Sequence, residues 1–226
     1  MGLETLGARL SIPRHRHRHG YITVVLSGTY QEAGLSGRFE LTAGCVAVHQ
    51  AFDVHLDHVR VTEARLLNLP LSRATNLPNV FRIEDPDAIA RLAERDPEAA
   101  ALSLTPLHPV TAETDWVDEL ASAISHSPEL RLSSWADANG LAPETLSRGF
   151  GKAFGVAPAR FRIEMQAHRA LLLIVDTDAP LARIAAECGF ADQPHLTRSI
   201  VQITGHPPAY WRRQSIPFNT DRAYRR

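Results

Sequence analysis

Between residues 21 and 71 short runs of β-forming residues alternate with turn residues. YITVVLS leads into Gly28, RFEL precedes Ala43-Gly44, and CVAVH and ARLLNLPL follow. Short strands at this spacing predict a small barrel or sandwich. The pattern changes near residue 85. DPDAIARLAERDPEAAALSL is rich in Ala, Leu and Glu, and opens on Asp85-Pro86, a capping residue followed by proline at the first helical position. In TDWVDELASAISHS, Trp116, Leu120, Ala123 and Ile124 share one helical face. From residue 130 onward the periodicity is helical throughout. Strands followed by helices, without alternation, predict separate domains rather than a doubly wound sheet. The expected architecture is α+β and multidomain: a β-barrel over residues 1–75, linker or dimerisation helices over 84–127, an all-α domain over 129–215, and a tail at 216–226.

Composition narrows the class. A chain of 226 residues, 44% hydrophobic and 22% charged, is ordinary for a globular protein of one or two domains. No apolar run reaches the ~20 residues of a membrane span, and the N-terminus lacks the basic-then-apolar pattern of a signal peptide. A cytoplasmic protein with no membrane partner is expected. Cys45 and Cys188 form no CxxC and are expected to pack as small buried residues. The net charge of −1 hides an asymmetry, +4 over residues 129–226 against −5 over 1–128. A basic C-terminal half fits a nucleic-acid-binding domain joined to something else.

Two segments of the C-terminal half repeat one pattern. SSWADANGLAPETLSRGF and LARIAAECGFADQPHLTRSI each place Ala four residues before Gly (Ala136 and Gly140; Ala185 and Gly189). Each then carries Leu, a hydroxyl residue and Arg (Leu146, Ser147, Arg148; Leu196, Thr197, Arg198). The small Ala lets two helices cross closely, Gly adopts the left-handed conformation that ends the first, and the Leu pins the second. This is the pattern of a helix-turn-helix, whose second helix leaves one face free for a major groove. Ser134 with Asp137 reads as a capping box, and Asp178-Pro180 and Asp192 with Pro194 as helix starts. The stretch between the units is helical over about 159–175. At ~1.5 Å per residue it is a stiff connector that can set two recognition helices about one DNA turn apart.

GVAPARFRIEMQAHRALLLI, IAAECGFADQPHLTRSI and the closing GHPPAYWRR resemble the DNA-binding domain of the AraC/XylS family of transcription regulators. The resemblance covers about residues 130–213. It implies a seven-helix domain that inserts a recognition helix into each of two adjacent major grooves of promoter DNA. On this chain the first recognition helix starts near Pro143, with Glu144, Thr145, Ser147, Arg148 and Lys152 as groove-facing candidates. The second starts near Gln193, with Gln193, His195, Thr197, Arg198 and Gln202. Arg pairs with guanine, Gln with adenine, and Thr touches a thymine methyl; Arg148 and Arg198 serve equally as phosphate contacts. Pro194 stands where many relatives have serine, and Gly149 and Gly151 each cost the first recognition helix about 1 kcal/mol relative to Ala.

PRHRHRHGYITVVLSG carries His15, His17 and His19 at alternate positions, followed by Tyr21. In a strand these four share a face. The region resembles a cupin barrel, the sensor of sugar-responsive members of the same family. His15, His17 and His55 coincide with three of the four metal positions of the cupin motifs; Tyr21 replaces the fourth, a glutamate. Four readings stay open: a metal site of His15, His17 and His55, suited to Zn or another divalent transition metal; an organic-effector pocket lined by His15, His17, His19, Tyr21 and His55; a hydrogen-bonded core cluster; or an exposed basic strand. Glu32 is a candidate for the missing carboxylate, and His49 and His58 have no motif support. The expected function is a non-enzymatic, homodimeric, sequence-specific transcription regulator that binds double-stranded promoter DNA under control of a small molecule or metal in the barrel. RNA polymerase is a partner if it activates. The alternatives are a metal-dependent cupin enzyme fused to a DNA-binding domain, and a regulator whose barrel only dimerises.

Overall fold

The computed structural model describes residues 2–71, 77–127 and 129–215, so the expected tail at 216–226 lies outside the described residues. Two antiparallel sheets form its N-terminal part. The six-stranded sheet runs β1 (Gly2–Leu6), β8 (Ala64–Pro70), β3 (Tyr21–Ser27), β6 (Cys45–His49), β9 (Val80–Arg82), β10 (His108–Pro109). The four-stranded sheet runs β2 (Ser11–Arg16), β7 (Val54–His58), β4 (Thr29–Gly34), β5 (Gly37–Thr42).

Alternation along the strands explains the arrangement. Ile22 and Val24 of β3, Val46 and Val48 of β6, and Leu67 and Leu69 of β8 face one side of the larger sheet. There they pack against α1 (Pro86–Ala93) and α2 (Pro97–Leu102) through Ile89, Ala100 and Ala101. The intervening Val25, Ala47 and Leu66 face the other sheet and meet Tyr30, Phe39 and Leu41. Strands covered on both faces read as unbroken apolar runs, which is how YITVVLS and CVAVH read.

The strand pattern continues past residue 75. β9 pairs with β6, and β10 with β9, inside the larger sheet. The expected linker helices α1 and α2 cover that sheet rather than bridging away from it. α1 starts as expected, its Asp85 cap accepting the Ala88 N–H. α3 (Trp116–His126) is tied to β5 by Arg38, whose Nε and Nη2 donate to the two Asp118 oxygens at 3.1 and 2.7 Å.

The chain divides into two compact units, residues 1–122 with 144–157, and residues 123–143 with 158–226. The helical elements of the C-terminal part are α4 (Leu132–Ala138), α5 (Pro143–Phe154), α6 (Pro158–Asp176), α7 (Leu181–Glu187), α8 (Gln193–Thr204) and α9 (Pro208–Ser215). Gly140 after α4 and Gly189 after α7 are left-handed, at φ 64° and 77°, as the helix-turn-helix pattern requires. Asp192 caps α8, accepting the His195 N–H at 2.6 Å. The expected capping box does not form: α4 begins at Leu132 with Arg131 as its cap residue, so Ser134 and Asp137 sit inside the helix. α7 likewise starts at Leu181 with Pro180 as its cap residue and no side-chain cap. In the second unit Phe161, Ala167, Leu171 and Ile174 are buried on α6, which packs against α7, α8 and α9. Cys45 and Cys188 are free and buried.

Candidate functional site

The barrel is packed with side chains along part of its length and hollow along the rest. Inward positions that are Val25, Ala47 and Leu66 at the packed end become Tyr21, Thr23, His49 and Asn68 farther along the same strands. These line a cavity of about 350 Å³. Register brings its chemistry together in cross-strand pairs. Tyr21 opposes His49 across β3 and β6, His15 opposes His55 across β2 and β7, and Glu32 opposes Asp57 across β4 and β7.

The expected residues largely converge. His15 and His55 rings meet edge to face at 4.5 Å between centroids, His15 and His17 at 4.7 Å, and His17 and Tyr21 at 4.7 Å. His15, His17 and His55 each offer one nitrogen within 4.8 Å of the others. His15 Nδ1 lies 2.9 Å from the Pro13 carbonyl, while His17 Nε2 and His55 Nδ1 are buried without hydrogen-bond partners. An imidazole held from behind, beside two with unengaged nitrogens, fits the metal that the barrel resemblance implies. His19 borders the cavity but is exposed and joins neither ligating group. His58 pairs with the Ser11 hydroxyl at 2.8 Å instead.

Two residues without motif support complete the cluster. His49, 3% exposed, stacks on Tyr21 at 4.4 Å and reaches Glu32 at 3.6 Å. Glu32 accepts from the Tyr30 hydroxyl at 3.3 Å. Burial drives His49 down to about 3 and His55 well below its ordinary value, each with help from neighbouring histidines. Burial also pushes Asp57 up to about 7, and raises Glu32, with Asp57 and Asp53 adding to the effect. The Tyr21 hydroxyl is raised by burial and then by Glu32.

On α5 Leu146, Phe150 and Phe154 are buried, and Glu144, Thr145, Ser147, Arg148 and Lys152 are exposed. Arg148 Nε folds back to the Glu144 carbonyl at 3.3 Å. On α8 Leu196, Ile200 and Ile203 are buried, while Gln193, Arg198 and Gln202 are exposed and Thr197 is half-buried. His195 is also half-buried, its ring edge-on to Phe190 at 5.2 Å.

Within the first unit α5 packs against the barrel. Arg14 Nη1 donates to the Phe154 carbonyl at 3.0 Å. Gly149 lies under the Trp116 indole so closely that a Cβ there would come within 2.4 Å of Cζ2. A Cβ on Gly155 would meet Leu56 at 2.9 Å and Arg14 at 3.1 Å. The glycine that weakens α5 as a helix is what admits Trp116.

Tandem short helix–turn–helix pairs with exposed outer faces define the class, a helix-turn-helix protein. Residues 135–214 match the family model described as a helix-turn-helix domain. The match runs from α4 into α9 and takes in both helix-turn-helix pairs. No curated protein matches the chain. Among solved structures, ToxT from Vibrio cholerae with a bound unsaturated fatty acid is similar at TM-score 0.43 and 10% identity, covering 93% of each chain. The C-terminal domain of AraT, a response regulator from Geobacillus stearothermophilus, is similar at 0.42 and 22%, covering 45% of this chain and 86% of its own. A Chromobacterium violaceum transcriptional regulator is similar at 0.41 and 24%, covering 44% and 90%. Among the described residues no helix is long and apolar enough to cross a membrane.

Proposed function

We propose that the protein is a one-component transcription regulator: α5 and α8 hold double-stranded DNA, and the barrel cavity takes a small molecule or metal ion whose binding shifts DNA affinity. The observation that carries this reading is how the cavity strands meet α5. Side chains alternate along a strand, so β2 sends His15 inward and Arg14 outward, and β7 sends His55 inward and Leu56 outward. Arg14 and Leu56 are the residues that touch α5 at Phe154 and Gly155. A ligand drawing on His15 or His55 thus pulls on strands in direct contact with a DNA-reading helix. It changes DNA affinity by the difference in its own affinity for the two arrangements.

The test is selection of duplexes from a random library by the full-length protein, followed by affinity measurements across salt concentrations. A preferred sequence is expected, with affinity falling steeply as salt rises. Arg198→Ala is expected to lose about 1–3 kcal/mol on that duplex if it reads a base; an equal loss on every duplex marks a phosphate contact. Failure to bind any duplex overturns the reading.

A further inference from the structure

Glu32 and Asp57 face each other across β4 and β7, and each is 7% exposed. Directly opposed carboxylates repel, and an ionised carboxylate away from water needs a compensating charge. The charges acting on Glu32 are those of Asp57 and Asp53, both negative. Its polar neighbours are the Tyr30 hydroxyl and His49 Nε2, the latter at 3.6 Å, too long for a good hydrogen bond. His49 and His55 are each 3% exposed, and His55 keeps one nitrogen without a partner. Two opposed carboxyl groups and two buried imidazoles converge here, and no cation is among the charges acting on Glu32.

The ligating atoms of Glu32, His49 and His55 all lie within 4.8 Å of one another. They come from β4, β6 and β7, so both sheets hold them on rigid backbone. Tyr21 stacked at 20° fixes the plane of His49. Asp57 Oδ2 stands 3.7 Å from His55 Nε2, beyond a good hydrogen bond but on the ring edge away from the partnerless Nδ1.

We propose that Glu32, His49 and His55 bind one divalent transition-metal ion on the buried side of the cavity. The proposal rests on the reading of the barrel as the effector site and supplies its ligand. Two imidazoles and a carboxylate suit ions such as Zn²⁺, Co²⁺ or Fe²⁺, whereas Ca²⁺ and Mg²⁺ prefer oxygen. The set differs from the three histidines found by motif: His55 is shared, and His49 and Glu32 take the places of His15 and His17. Those two sit nearer the mouth, half-buried.

The experiment titrates Zn²⁺ and Co²⁺ into metal-stripped full-length protein against a chromogenic chelator. Bound metal is counted by mass spectrometry, and the Co²⁺ absorption spectrum is recorded. One ion per chain is expected. Glu32→Gln, which keeps the side-chain shape and relieves the carboxylate pair, and His49→Gln are each expected to weaken binding beyond the ~10–100-fold that loss of a supporting residue costs. A His15→Ala/His17→Ala double variant is expected to stay within or below that range. The reverse order overturns the assignment in favour of the motif histidines, and no binding to the wild type overturns it outright. Circular dichroism identifies a variant that fails to fold, in which case the other carries the test. DNA affinity measured on the same metal-free sample separates the two readings. DNA binding without metal binding removes only this proposal, and absence of DNA binding removes the regulator reading whatever the metal result.

Discussion

Arg38 and Asp118 join β5 to α3 through two hydrogen bonds between largely buried groups. Removing one partner of such a pair strands the other charge, which costs about 3–5 kcal/mol. Asp118→Ala is therefore expected to lower the urea midpoint of the whole chain by that much stability, far more than an exposed ion pair would give. Asp192 is a smaller case. Its carboxylate caps α8, so Asp192→Ala is expected to cost about 1 kcal/mol in the same measurement. Asp85 and Asp192 were legible, because a cap acts on backbone three positions away, whereas the capping box read at Ser134 and Asp137 does not form. His49 and Glu32 were not legible. Their partners lie on other strands, and only register places Tyr21 opposite His49 and Glu32 opposite Asp57. Counting alternate positions inward from Tyr21 along a paired strand would have found His49; nothing local would have found Glu32.

At the scale of elements the second helix of each helix-turn-helix pair begins where it was expected, α5 at Pro143 and α8 at Gln193, whereas α4 begins ahead of the expected Ser134. Their glycines, small residues and buried leucines obey short-range geometry. Short strands were harder. β1, β9 and β10 carry little periodicity of their own and exist because a neighbouring strand pairs with them. The glycine in mid-α5 reads as a defect in sequence and as a packing solution in the structure. Ala at 149 gains up to about 1 kcal/mol of helix propensity, yet its Cβ runs into an indole, and overpacking costs about 1–3 kcal/mol. Gly149→Ala is expected to destabilise the wild type and to become neutral or stabilising once Trp116→Ala removes the ring. A double-mutant cycle by denaturant unfolding checks this; stabilisation in both backgrounds would show that the close approach carries no weight.

For the molecule as a whole, the charge asymmetry and the β-then-α order predicted a barrel and a separate helical domain. What they did not reveal is that residues 144–157 belong with the barrel as one compact unit. That grouping arises from contacts between residues about a hundred or more positions apart, Arg14 with Phe154 and Leu56 with Gly155. It makes the cavity strands neighbours of α5, the helix proposed to meet DNA, and this is the physical basis of the proposed regulation. The most direct test is the affinity of Arg14→Ala and of Trp116→Ala for the duplex selected by the wild type. Neither residue is a candidate DNA contact; Arg14 holds the end of α5 to β2, and Trp116 of α3 packs on Gly149 in its middle. These variants are expected to change affinity by at least about 5-fold, the lower end of typical coupling between sites. Wild-type affinity in both, with the fold intact, would contradict the proposed regulation.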